Sequence, residues 1–260
     1  MPDFLIFPAF LAACSWGENM IEFQNVSFSY DGTSPVVENL SFSISKGESV
    51  GLIGANGAGK STIMKLLLGL LSGQGQIRVA GLEMNKQNLP KIRQNVGFVL
   101  QDSDNQMFMP TVYEDMIFGP RNYGLSKEQA EQRVDAVLNQ LGLAELKHRY
   151  NHKISGGEKR MAAIATILAM EPKVILMDEP STALDPVNRR TVINTINRLP
   201  QTKLIASHDL DMILDTCGRV ILLSHGKIVA DGSAETILRD KALLEANRME
   251  LPFCLQGRHK

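Results

Sequence analysis

Residues 54–62 read GANGAGKST and fit G-x-x-x-x-G-K-[ST], with Gly54, Gly59, Lys60 and Ser61 at the fixed places. The apolar run SVGLI precedes the loop and TIMKLLLGLL (62–71) follows it, so the stretch predicts strand, tight loop, helix. Such a loop wraps an anion with backbone N–H groups turned inward, and the helix start adds its positive end. Ala55, Asn56, Gly57, Ala58 and Thr62 complete the candidate nucleotide-binding loop. Lys60 has the reach for the β- and γ-phosphates of a nucleotide, and the Ser61 hydroxyl suits Mg²⁺. A match of this kind arises by chance in roughly one chain in a hundred of this size, before its strand and helix context is counted.

The rest of the chain alternates in a compatible way. IEFQNVSFSY, VVENLSFSIS, ESVGLIG, QIRVAG and NVGFVLQ read as strands. From about 111 to 170 the pattern is helical: KEQAEQRVDAVLNQLGL has apolar positions at helical spacing, with Ser126 as N-cap and Gln129 three residues on. Strands return as KVILMDEP, TKLIASHD and RVILLSHGKIVADG, and SAETILRDKALLEANR reads as one tail helix. This alternation predicts an α/β fold, a mostly parallel sheet covered by helices, with a helical lobe at about 105–170. The chain carries no strongly basic block and a formal net charge of -1, which argues against a nucleic-acid partner. Cys14, Cys217 and Cys254 form no Cys-x-x-Cys, so neither a zinc site nor a disulfide framework is indicated. A reducing cytoplasm fits best. FLIFPAFLAA (4–13) is apolar but too short to span a bilayer, and MPD before it lacks the positive charge of a signal. Residues 1–19 are expected to be a dispensable extension, with 20–250 as the working domain and 251–260 as a tail.

KVILMDEP (173–180) is a continuous apolar strand ending in carboxylates. With a phosphate loop upstream it becomes the second half of a nucleotide site, Asp178 on Mg²⁺ and Glu179 on the attacking water. The phosphate loop, Gln101 after a strand, ISGGE (154–158), LMDEP, STALD and His208 occur in that order. This ordered set, from Met20 to about 250, resembles the nucleotide-binding subunit of an ATP-binding-cassette (ABC) transporter.

The resemblance implies the P-loop NTPase ABC ATPase fold, with an antiparallel β subdomain and a helical subdomain beside the parallel core, and ATP with Mg²⁺ as cofactors. It implies that Ser155, Gly156 and Gly157 meet the ATP held by a second ATPase subunit. Tyr30 matches the aromatic that stacks on adenine, the alternative being a strand-end core residue. Gln101 matches a residue that senses Mg²⁺ and water and couples to the membrane subunit. Asp185 matches the residue that communicates across the dimer, the alternative being an N-cap before Pro186. His208 matches the γ-phosphate contact that orients the catalytic water, and Lys60, Gln101, Glu179 and His208 form the catalytic set. Two departures stand out: Ile154 and Glu158 replace the family's usual Leu and Gln. Glu158 is expected to be peripheral.

QDSDNQMF (101–108) has Asp102 and Asp104 but Met107 where a calcium loop demands Gly. With IFGPRNYGLS and SGGEKR it resembles instead the ATPases of energy-coupling factor (ECF) importers, within them the cobalt and nickel type. That implies peripheral attachment at the cytoplasmic face of a membrane, to integral transporter subunits that include a small substrate-binding membrane protein. Alternatives are another cargo such as vitamins, amino acids or lipids, or a soluble ABC-type ATPase acting on ribosomes or DNA. The last usually carries two cassettes or long coiled-coil insertions, and neither is present.

Overall fold

A computed structural model describes residues 19–256; the N-terminal extension expected to be dispensable (through residue 18) and residues 257–260 lie outside the described residues. The chain opens with β1 (Asn19–Ser29) and β2 (Pro35–Ser45), then β3 (Ser49–Ile53) and α1 (Lys60–Leu67). β4 (Gln74–Val79), β5 (Leu82–Glu83), α2 (Leu89–Asn95) and β6 (Val96–Val99) follow. Four helices come next, α3 (Ser103–Gln106), α4 (Val112–Asn122), α5 (Lys127–Leu141) and α6 (Gly156–Leu168), with only 3-10 turns between α5 and α6. The chain then alternates as β7 (Val174–Asp178), α7 (Pro186–Arg198), β8 (Thr202–Ala206), α8 (Leu210–Thr216), β9 (Arg219–Ser224) and β10 (Lys227–Ser233). It closes with α9 (Ala234–Arg239) and α10 (Lys241–Ala246).

Two sheets form. The larger has the order β10-β9-β3-β8-β7-β6, parallel except for the β9–β10 hairpin. The smaller, β2-β1-β4-β5, is antiparallel, and Phe23 stacks on Phe42 across it at 4.6 Å. This is the expected α/β architecture. Strands buried on both faces read as continuous apolar runs because each face meets its own core. Val174 and Leu176 of β7 face a core shared with α1 and the antiparallel sheet, while Ile175 and Met177 face the helices on the other side.

Register places the site. Leu52 of β3 pairs with Ala206 of β8, and Ala206 pairs with Asp178 of β7. The carboxyl ends of three adjacent parallel strands are therefore level, and the segments leaving them emerge at one edge, where open α/β sheets bind ligands.

Three elements differ from the sequence reading. The first helix stops at Leu67 rather than running to 71, because Gly69 turns left-handed at φ 61°. RVILLSHGKIVADG is a hairpin, turned at His225 and Gly226 with φ 46° and 75°. The tail helix is two helices, broken at Asp240, whose carboxylate caps α10 through the Leu243 N–H at 2.9 Å. A short polar side chain that competes for backbone donors breaks a helix that periodicity alone would continue.

Candidate functional site

The loop between β3 and α1 is shaped by contacts that only glycine permits. Gly54 has φ 148°, and a Cβ there would lie 2.3 Å from the Leu223 carbonyl oxygen. Gly57, at φ 80°, faces open space. The Lys60 ammonium lies inside the loop and donates to the carbonyls of Gly54 at 2.6 Å and Ala55 at 3.2 Å. Burial pulls its pKa below the usual lysine value, against the opposing pull of the Glu179 and Asp178 carboxylates. A cation held at the centre of a loop of turned amides is what a polyphosphate requires. Tyr30, 59% exposed, stands beside the loop with its hydroxyl 3.5 Å from Thr62 Oγ1, so its ring is open to a ligand rather than buried at a strand end.

At the end of β7 the Ser61 hydroxyl donates to Asp178 Oδ2 at 3.5 Å. Burial raises the Asp178 pKa, neighbouring Glu179 raises it further, and Lys60 opposes both. Two hard oxygens from facing elements are a donor set suited to Mg²⁺ carried in on phosphates. No cluster of three or more His, Cys, Asp or Glu side chains occurs among the described residues, so the protein would supply only part of a metal's coordination.

Glu179 takes a left-handed backbone at φ 48°, a cost that residues at functional sites often carry. Its buried carboxylate accepts from the Ser207 hydroxyl at 2.9 Å and from the His208 N–H at 3.0 Å. His208 Nδ1 lies 2.8 Å from Glu179 Oε2, with the ring itself largely exposed. Below this pair, Asp209 accepts twice from the Arg189 guanidinium, at 2.7 and 2.8 Å, and once from Ser181 at 3.0 Å. Ser207, Asp209 and Arg189 were not singled out from sequence. Their types are ordinary, and only adjacency to His208 in ASHD marked two of them.

Gln101 follows β6 and is exposed; with Asp178 and Gly156 it lines one cleft of about 730 Å³. Ser155 caps α6 in a reciprocal box: its hydroxyl accepts from the Glu158 N–H at 3.3 Å, and its own N–H donates to the Glu158 carboxylate at 2.7 Å. Glu158 thus has a local task, holding the helix start. Ser155 and Gly156 are exposed, and Gly157 is buried against Asn188. None of the three lines the 950 Å³ cleft that Gly54, Ala55, Asn56 and His208 share with residues 248–254 and Gln256. Asp185 caps α7, accepting from Val187 N at 2.9 Å and Asn188 N at 3.0 Å, and also bonds the Asn188 amide side chain. The structure therefore gathers Tyr30, residues 54–62, Asp178, Glu179 and His208. Gln101 stands at an adjoining cleft, which Asp178 and Gly156 also line, and Ser155, Gly157 and Asp185 line neither cleft. Asp102 and Asp104 form no metal loop: the first caps α3 and the second pairs with Lys159.

The ABC transporter family pattern matches residues 37–182, more than half of the chain. The chain belongs to the ABC transporter ATP-binding family. It is an ATPase cassette of that family. A protein named as an ABC transporter ATP-binding protein from Geobacter sulfurreducens is 41% identical over 92% of this chain and 96% of its own length. The energy-coupling factor transporter ATP-binding protein EcfA of Methanothermobacter thermautotrophicus is 40% identical, covering 90% of this chain and 77% of that one. Among solved structures, cbiO1 from Clostridium perfringens, described as part of the ABC transporter complex cbiONQ, superposes with a TM-score of 0.80. It shares 30% identity and covers 88% of this chain and 94% of its own.

Proposed function

We propose that this chain is the ATP-hydrolysing subunit of an ECF-type importer whose cargo is cobalt or nickel ions. The observation that carries the enzymatic part is the Glu179–His208 pair at the same strand edge as the phosphate loop. The relative named EcfA and the likeness to cbiO1 support the importer type. The metal cargo rests on the resemblance of QDSDNQMF and its companion stretches.

In this reading residues 20–250 form the ATPase unit and residues 1–19 are dispensable. Tyr30 stacks on adenine and residues 54–62 hold the phosphates. Lys60 leaves the loop carbonyls for the β- and γ-phosphate oxygens, and Ser61, Asp178 and Gln101 hold Mg²⁺, which neutralises phosphate charge when bound. Glu179 orients and deprotonates the attacking water, and His208 contacts the γ-phosphate. Ser155, Gly156 and Gly157 complete the site of a second ATPase subunit, identical or related, and Asp185 reports across that interface. Among the described residues no helix is long and apolar enough to cross a membrane. By its likeness to EcfA and cbiO1, the chain docks in this reading on the cytoplasmic face, against integral subunits that include a small substrate-binding protein. Closure on ATP and reopening after hydrolysis would drive their motion.

The test is Glu179→Gln. It is expected to bind ATP normally, lose about 100-fold or more in turnover, and accumulate an ATP-bound dimer in sedimentation. Near-normal turnover removes Glu179 from its role. Purification from solubilised native membranes tests the rest: a small multi-spanning protein with bound cobalt or nickel supports the cargo, and two conventional permease subunits overturn the importer type.

A further inference from the structure

The start of α6 is tied to the segment that carries Gln101 by side chains no motif assigns. Arg160, one turn into α6, is only 4% exposed. Its Nη1 donates to the Leu100 carbonyl at 2.6 Å and its Nη2 to the Gln101 carbonyl. Its Nε is buried with no hydrogen-bond partner. Burial pushes the guanidinium pKa down, and Asp102 only partly opposes this. Among the described residues no carboxylate forms an ion pair with it, so a buried cation is kept on two main-chain oxygens alone, an expensive arrangement. A planar fork suits two consecutive carbonyls as a point charge does not. Two further ties flank it. Lys159 pairs with Asp104, and Gln106 accepts from Leu100 N at 3.0 Å while donating to the Ala163 carbonyl at 2.7 Å. Of these three ties, the one from Arg160 grips Gln101 itself.

We propose that Arg160 is a positioning residue for Gln101, locking its backbone to the helix that begins at Ser155–Gly157. Any movement of the start of α6 is then transmitted to Gln101, and through it to the cleft shared with Asp178. Arg160 reaches carbonyls rather than side chains, so the tie itself does not depend on what residues 100 and 101 are. Its effect on turnover, in contrast, passes through the Gln101 side chain that this backbone carries.

The inference rests on the proposed role of Gln101 at the nucleotide, and the test separates the two. Steady-state ATP hydrolysis by the full chain is measured for Gln101→Ala, Arg160→Met, Arg160→Lys and the double variant Gln101→Ala/Arg160→Met. Arg160→Met is expected to lower kcat about tenfold while changing KM for ATP less than about twofold, with Arg160→Lys intermediate. In the Gln101→Ala background the same change is expected to cost no more than about a further twofold, because both act through one group. A fully multiplicative loss in the double variant, or wild-type kcat in Arg160→Met, overturns the inference. If Arg160→Met does not fold, the same cycle run with Arg160→Lys decides, non-additivity supporting and additivity overturning. A Gln101→Ala chain with undiminished turnover overturns the role of Gln101 instead, and the inference with it.

Discussion

Two adjacent glycines in ISGGE meet different surroundings. A Cβ on Gly156 would meet nothing within 4 Å, whereas one on Gly157 would lie 2.1 Å from Asn188 Cγ. A side chain at Gly157 would therefore have to displace the Asn188 amide, which Asp185 holds, whereas Gly156 faces open space. Gly156→Ala is expected to leave the melting temperature within about 1 °C, or raise it slightly by lowering unfolded-state entropy. Turnover should nonetheless fall, since the added methyl stands where the partner's nucleotide would come. Gly157→Ala should cost about 1–3 kcal/mol of stability through overpacking. Calorimetry and turnover on both variants check this, and equal melting losses would refute the assignment. The sequence pattern marked both glycines without telling them apart. Residue types demanded by ligand chemistry at fixed spacing, as in the loop from Gly54 to Ser61, are legible from sequence. Arg160 and Asn188 were not, because contacts to backbone carbonyls or to a missing Cβ leave no constraint on neighbouring letters.

Between the ends of β7 and β8 and the starts of α7 and α8, polar groups lock the elements in place. Asp209 caps α8 through Met212 N at 2.9 Å and binds Arg189 of α7 bidentately. Burial alone would raise its pKa, but Arg189, the Met212 N–H and Ser181 outweigh burial and hold it below the usual carboxylate value. The sign follows from linkage: a carboxylate whose folded pKa lies below its unfolded one adds stability above the unfolded pKa. That contribution is lost as pH falls below about 4 and through the folded value. Asp209→Asn should therefore lower stability at pH 7 by about 2 kcal/mol. Its unfolding free energy should also fall less steeply than wild type below about pH 4. Denaturant titrations at pH 7 and pH 3 compare them, and parallel losses at both would exclude the charge. At this scale the reading of sequence was sound for buried strands, whose apolar runs are unambiguous. It failed where a single residue decides a boundary, at Gly69, His225–Gly226 and Asp240. Periodicity averages over a window, and caps and turns do not.

For the molecule as a whole, one chain carries one phosphate loop and one Ser155–Gly157 helix start, and the latter lies outside the cleft that Gly54–Asn56 and His208 line. The level strand ends gather every proposed catalytic group except that helix start and Gln101, which stands at the adjoining cleft. The order of motifs made the overall fold legible. The separation of the loop from the signature was not legible from spacing, because sequence distance does not say which surface a helix start faces. If two chains pair symmetrically, each loop is completed by the other chain's Ser155, and damage to the two motifs must complement. Lys60→Ala and Ser155→Ala chains should each be nearly inactive alone. In a mixed dimer one site combines both lesions and the other has none. Random pairing of equal amounts makes half the dimers mixed, each with one intact site of two, so about a quarter of wild-type turnover should return if the sites act independently. Hydrolysis assayed before and after mixing, at concentrations above the dimerisation midpoint, measures this. No recovery in a mixture shown by sedimentation to contain mixed dimers would mean that a single intact site cannot turn over, or that Ser155 serves the loop of its own chain. Repeating the mixture with Lys60→Ala and Ser155→Ala joined in one chain and wild type as the other separates these. Each mixed dimer then holds two half-damaged sites if sites form between chains, and one wholly intact site if they form within one.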